Sequence, residues 1–253
     1  MAELDNIVDG YSEPDLGDNI FHERQESEFY AQCVRDFLFR YGYELLSNKD
    51  IFELGVGTGE TIVELLQHHN FEGKIRGYEI QQDSFQYARI LVEGHRVSDR
   101  YVVLNEDFFT AISGSIIGGC AISNPPYLPA PDNLIRIPEL WGGHDGSEVT
   151  KRIMSCGFEQ LILLVSSFSN PLSVIDYASS QGYRVIDFAV RTMRFGRYSR
   201  EPKVYQRIME LAEREEAFIS ADRYFLAGVA WMKKRTGRDL SASLRRSVTS
   251  LRE

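Results

Sequence analysis

The sequence predicts an α/β fold, a mostly parallel sheet with helices on both faces. Three observations lead to it. From residue 50 onward, short apolar runs of strand length alternate with stretches of helical periodicity, the pattern left by crossover connections. The first of these runs passes straight into a glycine loop and then a helix. The run Leu161-Ile-Leu-Leu-Val-Ser166 is apolar without alternation, as expected of a strand covered on both faces.

Each element follows from its own pattern. Residues 1–20 scatter apolar side chains among Asp, Glu, Gly and Pro and read as a loop or arm. Over 23–46, Phe29, Cys33, Phe37 and Tyr41 recur at helical spacing beside Tyr30, Val34 and Leu38. That is one amphipathic helix, with Gly42 a place where it could break. Strands are expected at 50–54, 74–80, 101–105, 120–123, 161–166, 183–190 and 224–233, and helices at 60–69, 83–93, 171–181 and 201–218. The basic tail after 233 is compatible with a surface helix or with no fixed structure.

Composition narrows the classes. With 253 residues, 43% hydrophobic and 26% charged, the chain can bury the core of one larger α/β domain. A net charge of -9 argues against nucleic acid as a partner. Cys33, Cys120 and Cys156 stand far apart, with neither zinc spacing nor a disulfide framework. No metal site is therefore expected, and a reducing cytoplasm suits the chain. The acidic N-terminus has no apolar signal core, and no run is long enough to span a bilayer, so no membrane partner is expected.

Two motifs carry chemistry. In Glu53-Leu-Gly55-Val-Gly57-Thr-Gly59 the glycines permit positive φ and close approach of a ligand to the backbone. Gly57 and Gly59 are two apart, giving GxGxG rather than the GxGxxG of dinucleotide sites. An acid before the first glycine suits a cationic ligand better than a pyrophosphate. Glu79, at the end of the next strand, can accept both hydrogen bonds of a ribose diol. Asp107, after the third strand, can receive an exocyclic amine or cap a helix. The second motif is Asn124-Pro-Pro-Tyr127, directly after a strand. Two prolines remove two backbone donors and fix two φ angles, so the backbone is held still at this point.

The runs IFELGVGTGE, GYEI, LNEDFF and ISNPPY together resemble class I S-adenosylmethionine (SAM) methyltransferases, over roughly residues 50–190. The resemblance implies a Rossmann-like sheet of seven strands in the order three-two-one-four-five-seven-six, mostly parallel, with the last strand antiparallel. It implies SAM as cofactor, with Glu53, Gly55, Gly57, Thr58 and Gly59 around its methionine part. Glu79 would hold the ribose and Asp107 with Phe108 the adenine, and Ile80 is grouped with these cofactor-binding residues. Asn-Pro-Pro-Tyr is similar to the motif of enzymes that methylate nitrogens on planar groups, among them release-factor glutamine and N6-adenine methyltransferases. There the Asn124 side-chain carbonyl and the Pro125 backbone carbonyl would orient a poorly nucleophilic nitrogen, and Tyr127 would cover it.

A further segment, Leu140-Trp-Gly-Gly-His-Asp-Gly-Ser147, is similar to a GGxDG stretch of glutamine methyltransferases. His144 within it is a candidate base, though a loop histidine is more often only solvated. The division expected is an N-terminal arm and helical cap at 1–48, a SAM-binding domain at 49–233 with a lid-like insertion at about 192–220, and a basic tail at 234–253. The start of the insertion is basic and aromatic, from Arg191 to Tyr205, and could bind a carboxylate or phosphate or face solvent. Tyr11, Phe21 and Tyr30 could cap the cofactor. The leading expectation is an N-methyltransferase for a small-molecule or peptide-like amide or amine. The alternatives are an enzyme that cleaves or cyclises SAM, releasing methylthioadenosine, and a catalytically silent binding subunit.

Overall fold

The computed structural model describes residues 21, 23–45, 50–69, 71, 73–113, 118–233 and 238–251. The expected arm at 1–20, including Tyr11, lies outside them. Its strands are β1 (Ile51–Leu54), β2 (Ile75–Tyr78), β3 (Tyr101–Leu104), β4 (Cys120–Ser123), β5 (Gln160–Ser166), β6 (Tyr183–Arg194), β7 (Ile219–Ser220) and β8 (Arg223–Lys233). The α-helices are α1 (Arg24–Leu45), α2 (Glu60–His68), α3 (Gln82–Gly94), α4 (Phe108–Ala111), α5 (Glu148–Ser155), α6 (Pro171–Ser180), α7 (Pro202–Glu213) and α8 (Ser241–Val248).

The sheet runs β3-β2-β1-β4-β5-β8-β6, with the two-residue β7 paired to β8. Pairs β1–β2, β1–β4, β2–β3 and β4–β5 are parallel. Among the described strands, β8 runs antiparallel to its neighbours β5, β6 and β7. Apart from the short β7, this is the seven-strand order expected, with β8 as the antiparallel last strand.

Alternation along the strands divides the core between the two faces. Ile51, Ile75, Cys120 and Ile122 pack with α1, α2, α3 and α7. Leu54, Ala121, Leu161 and Leu163 pack with α4, α5, α6 and α8. Helix α1 runs through Gly42 without a break. It seats Phe29, Tyr30, Cys33, Val34, Phe37 and Leu38 in the first of these layers.

Several elements differ from expectation; the helix expected at 201–218, for one, ends at Glu213 and β7 follows it. β6 continues four residues past 190, to Arg194, because β8 pairs with it along its whole length. Helix α5 went unread, since its eight residues follow a glycine-rich turn and bury only Thr150, Ile153 and Met154. The described part of the tail forms a helix, α8, that packs onto the domain. Leu244 and Val248 of α8 are fully buried, and Leu240 N–H donates to the Val185 carbonyl at 2.9 Å. Among the described residues no helix is long and apolar enough to cross a membrane.

Candidate active site

A cavity of about 350 Å³ opens beyond the carboxyl ends of β1, β2 and β4, the usual ligand position in an open α/β sheet. Gly55, Gly57 and Thr58 enter its wall from the loop after β1, and Glu79 and Ile80 from the end of β2. Asp107 and Phe108 come from the turn after β3, and Asn124, Pro125 and Tyr127 from the turn after β4. Sequence positions spread over four connections thus meet in one space.

Two expected residues are not in that wall. Glu53 points to the α1 face of β1, and its carboxylate accepts the Tyr30 hydroxyl at 3.1 Å and the Tyr101 hydroxyl at 2.5 Å. Burial pushes its carboxyl up to about 8, against the opposing effect of those two hydrogen bonds. The pleat dictates this, since Phe52 and Leu54 take the other face. Its link to the cavity is indirect, through Tyr30, which does line it. Gly59 starts α2 at φ 76°, and a Cβ there would lie 3.0 Å from Ala88 Cβ. It sets the packing of α2 on α3.

The glycine loop and Glu79 form one unit. Gly57, at φ 58°, gives its N–H to Glu79 Oε2 at 2.9 Å, and Gln81 gives its N–H to Oε1 at 2.9 Å. Asn105 Nδ2 donates to the Glu79 carbonyl at 2.7 Å. Burial raises the Glu79 carboxyl above its usual range, and the amides of Gln81, Gly57 and Ile80 oppose that. Asp107 caps α4, its Oδ1 accepting from Thr110 N–H at 2.8 Å and Thr110 Oγ1 at 2.6 Å, while it also lines the cavity. Nearby, Tyr78 meets Phe108 edge-on at 5.5 Å, and the Arg152 guanidinium lies 3.7 Å from the centre of the Phe109 ring. Together these make an apolar, aromatic slot beside two carboxylates.

The turn after β4 is clamped from several sides. Ser123 Oγ donates to the Leu54 carbonyl at 2.8 Å, fixing the end of β4 to β1. Leu128 N–H donates to the Leu140 carbonyl at 3.1 Å and Gly142 N–H to the Leu128 carbonyl at 3.0 Å. A Cβ at Gly142 would fall 2.5 Å from Tyr127 Cα and 2.8 Å from the Pro126 carbonyl oxygen. Only glycine fits there, so the glycine segment braces the Asn-Pro-Pro-Tyr turn. Asp145 ties this brace to two helices, accepting from Ser147 N–H and Oγ at 2.9 and 2.5 Å and from Asn170 Nδ2 at 2.8 Å. His144 is half exposed or more, contacts Glu148 and Trp141, and is not in the cavity wall. Its position gives no support to a catalytic base.

Asn124 contributes a buried Oδ1 with no hydrogen-bond partner among the described residues. Buried carbonyl oxygens are nearly always paired, so this one marks a place where a donor is missing. Beside it lies a residue that the sequence analysis overlooked. Glu26 of α1 is 9% exposed and lines the cavity. It accepts the Tyr224 hydroxyl on Oε1 at 2.6 Å and the Tyr127 hydroxyl on Oε2. Burial raises the Glu26 carboxyl, the two tyrosines oppose it, and the nearby Glu23 adds to the rise. A signal existed: Glu26 falls on the same helical stripe as Phe29, Tyr30 and Cys33, where a charge is out of place.

The basic insertion turns its charges away from the cavity. Arg191 donates to Gln32 at 2.6 Å and stacks on Phe29, Arg194 and Arg200 both approach Asp222, and Lys203 pairs with Asp132 at 2.6 Å. From this stretch the cavity receives Gly196, Tyr198 and Ser199, with Phe21 5.5 Å from Tyr198. Among the described residues the wall carries Glu23, Glu26, Glu79, Asp107 and Glu139 against a single cation, Arg152.

No protein-family model matches the chain. It is 27% identical over 140 residues to the ribosomal protein uL3 glutamine methyltransferases of Neisseria meningitidis serogroups A and B, covering 52% of this chain and 42% of each relative. It is 23% identical over 117 residues to the release factor glutamine methyltransferase of Chlorobaculum tepidum, covering 45% of this chain and 40% of that protein. The chain therefore spans less than half the length of these relatives. Among solved structures, a proposed RNA methyltransferase from Pyrococcus horikoshii superposes with a TM-score of 0.54 at 10% identity, over 86% of this chain and 89% of that one. The N-terminally truncated methyltransferase domain of METTL16 gives 0.50 at 17% identity, over 84% of both chains. The fold is the Rossmann-like fold of class I methyltransferases.

Proposed function

We propose that the chain is a SAM-dependent N-methyltransferase acting on an amide or amine nitrogen of a small-molecule or peptide-like acceptor. The observation that carries this reading is the unpaired, buried Oδ1 of Asn124 at the wall of the cavity that Gly57 and Glu79 also line. An amide or amine N–H is the donor that this oxygen lacks. The sequence relatives act on glutamine side chains, so a glutamine amide in a peptide is the first acceptor to test.

The cavity fits SAM chemically. The space in front of Gly55 and Gly57 is open, with nothing within 4 Å of a Cβ built at either. Glu79 offers oxygens to a diol, and Tyr78, Ile80 and Phe108 offer flat apolar surface to a purine. The excess of carboxylates suits a cation carrying a sulfonium and an ammonium. When bound, SAM supplies a methyl carbon whose bond to sulfur breaks, leaving the electron pair on sulfur, as the acceptor nitrogen's lone pair forms the new C–N bond.

The chain's own residues then act by position. Asn124 Oδ1 accepts one N–H of the acceptor and the Pro125 carbonyl a second, turning the nitrogen lone pair toward the methyl carbon. Both carbonyl dipoles favour the positive charge that grows on nitrogen during transfer. Tyr127 holds the planar group in place with its ring, which is itself fixed against Phe168 at 5.5 Å. After transfer the cationic nitrogen gives its extra proton to water, so no strong base is needed at the site.

The test uses the full chain, SAM and a glutamine-containing peptide amide alongside a panel of small amines, with the nucleoside product identified by mass spectrometry. S-adenosylhomocysteine together with a methylated acceptor supports the reading. Methylthioadenosine formed from SAM alone would replace it with a SAM-cleaving activity.

A further inference from the structure

We propose that the acceptor carries a positive charge besides the nitrogen that is methylated, an ammonium group that seats on Glu26 in an aromatic pocket. That this ligand is the acceptor rests on the N-methyltransferase reading; the pocket and its charge preference do not.

Sheet order separates this pocket from the cofactor side. Along β3-β2-β1-β4-β5-β8-β6, the turn after β4 that carries Asn124 stands in the middle. The residues that would hold SAM follow β1, β2 and β3. Phe168 follows β5, Tyr224 lies near the start of β8 and Tyr198 follows β6, so all three line the cavity on the other side of Asn124. Helix α1 adds Glu26 there, with the Tyr224 hydroxyl on Oε1 at 2.6 Å and the Tyr127 hydroxyl on Oε2. The rings pack on one another, Tyr127 with Phe168 at 5.5 Å and Phe168 with Tyr224 at 4.7 Å. A Cβ at Gly196 would lie 2.7 Å from Glu23 Oε1, so the turn after β6 closes directly over the start of α1.

The chemistry of this pocket calls for a cation. Glu26 is 9% exposed, and the charged group that acts on it is another carboxyl, Glu23. Among the described residues the wall's single cation, Arg152, lies instead over Phe109, on the cofactor side. A buried carboxyl that lines a ligand cavity without a cationic partner marks a place for one. Aromatic rings add their own attraction for an ammonium. Each carboxylate oxygen keeps a lone pair beyond the tyrosine hydroxyl it accepts. The unpaired Asn124 Oδ1 in the same wall independently calls for an N–H donor. One ligand meets both demands, with its reacting nitrogen on Asn124 and its charge on Glu26.

Burial by itself favours the uncharged Glu26 carboxyl, and an opposite charge in contact favours the carboxylate. An amine that takes the carboxyl proton and an ammonium that meets the carboxylate form the same ion pair. The seat therefore does not depend on which partner held the proton.

The experiment titrates benzylamine, a cation at neutral pH, and benzyl alcohol, its uncharged counterpart of equal size, into the full chain saturated with S-adenosylhomocysteine, with binding followed by NMR. The wild type is expected to bind benzylamine about tenfold or more tighter than benzyl alcohol. Glu26→Gln keeps the size of the side chain and should bring the two within about twofold, with folding checked by circular dichroism. S-adenosylhomocysteine affinity, measured by calorimetry, should stay within about threefold of wild type. If Glu26→Gln does not fold, Glu26→Asp withdraws the carboxyl by one methylene and should cut the preference by about threefold or more. Equal binding of the two probes by the wild type, binding of neither, or a preference unchanged in a folded variant would overturn the proposal. So would a Glu26→Gln variant that loses S-adenosylhomocysteine and keeps the preference, since the carboxyl would then serve the cofactor. A wild-type chain that binds no S-adenosylhomocysteine would remove the methyltransferase reading, while the probe preference of the unliganded chain would still decide the cation seat.

Discussion

The Glu79 carboxylate accepts the Gly57 amide on one oxygen and the Gln81 amide on the other, both at 2.9 Å. This pair of hydrogen bonds from β2's end to two backbone segments shapes the cofactor loop, and it cannot be made by a carboxamide. Glu79→Gln must set an NH2 against a backbone N–H. The expected outcome is a loss of SAM affinity of about 10- to 100-fold with a stability loss of roughly 1–3 kcal/mol. Calorimetric titration with SAM and a denaturant melt check the two parts separately.

Glu53 predicts a pH effect of definite sign. Its carboxyl is pushed up to about 8 in the folded chain, so the folded state keeps a proton that the unfolded state has already lost. Stability from this group is complete below the ordinary carboxylate range and is lost as pH rises through about 8. The slope is at most about 1.4 kcal/mol per pH unit. Thermal melts between pH 5 and pH 9 should show wild-type Tm falling and Glu53→Gln falling less. Equal slopes would mean that Glu53 is ionised in the fold throughout.

Gly142→Ala tests the brace behind the Asn-Pro-Pro-Tyr turn. The new methyl meets backbone atoms at 2.5 to 2.8 Å, so the turn itself must move. A destabilisation of about 1–3 kcal/mol is expected. Methyl transfer should fall further than SAM affinity, because the displaced atoms belong to the acceptor side. Parallel binding and turnover assays would show whether the two losses separate.

Helix α8 is predicted to belong to the cooperative unit. Leu244→Ala removes a fully buried side chain and should cost about 2–5 kcal/mol in urea unfolding. A change within error would mean that the helix frays from the domain before it unfolds.

Much of this could be read from the chain, for physical reasons that differ by element. β1, β2, β4 and β5 were legible because crossover strands leave apolar runs bounded by glycine or helix signals. The glycine loop, Glu79, Asp107 and Asn-Pro-Pro-Tyr sit at fixed places just after strands, so position along the sequence located them at the cavity. Glu53 misled because the distance of a residue from a loop says nothing about which face of a strand it takes. The role of the basic run from Arg191 to Lys203 stayed open because charge in a sequence does not reveal its partners; Asp132, Asp222 and Gln32 lie far away along the chain. Glu26 was missed because its meaning depends on Tyr127 and Tyr224, which no local window contains.

The most direct test of the central claim compares the wild type with Asn124→Ala in one assay, using SAM and a glutamine peptide amide, with binding and nucleoside products measured together. SAM affinity is expected to lie within about threefold in both proteins. The wild type should yield S-adenosylhomocysteine, and the variant should lose about 100-fold or more of that turnover. Asn124→Ala turning over at the wild-type rate, or a wild type that yields only methylthioadenosine, would contradict it.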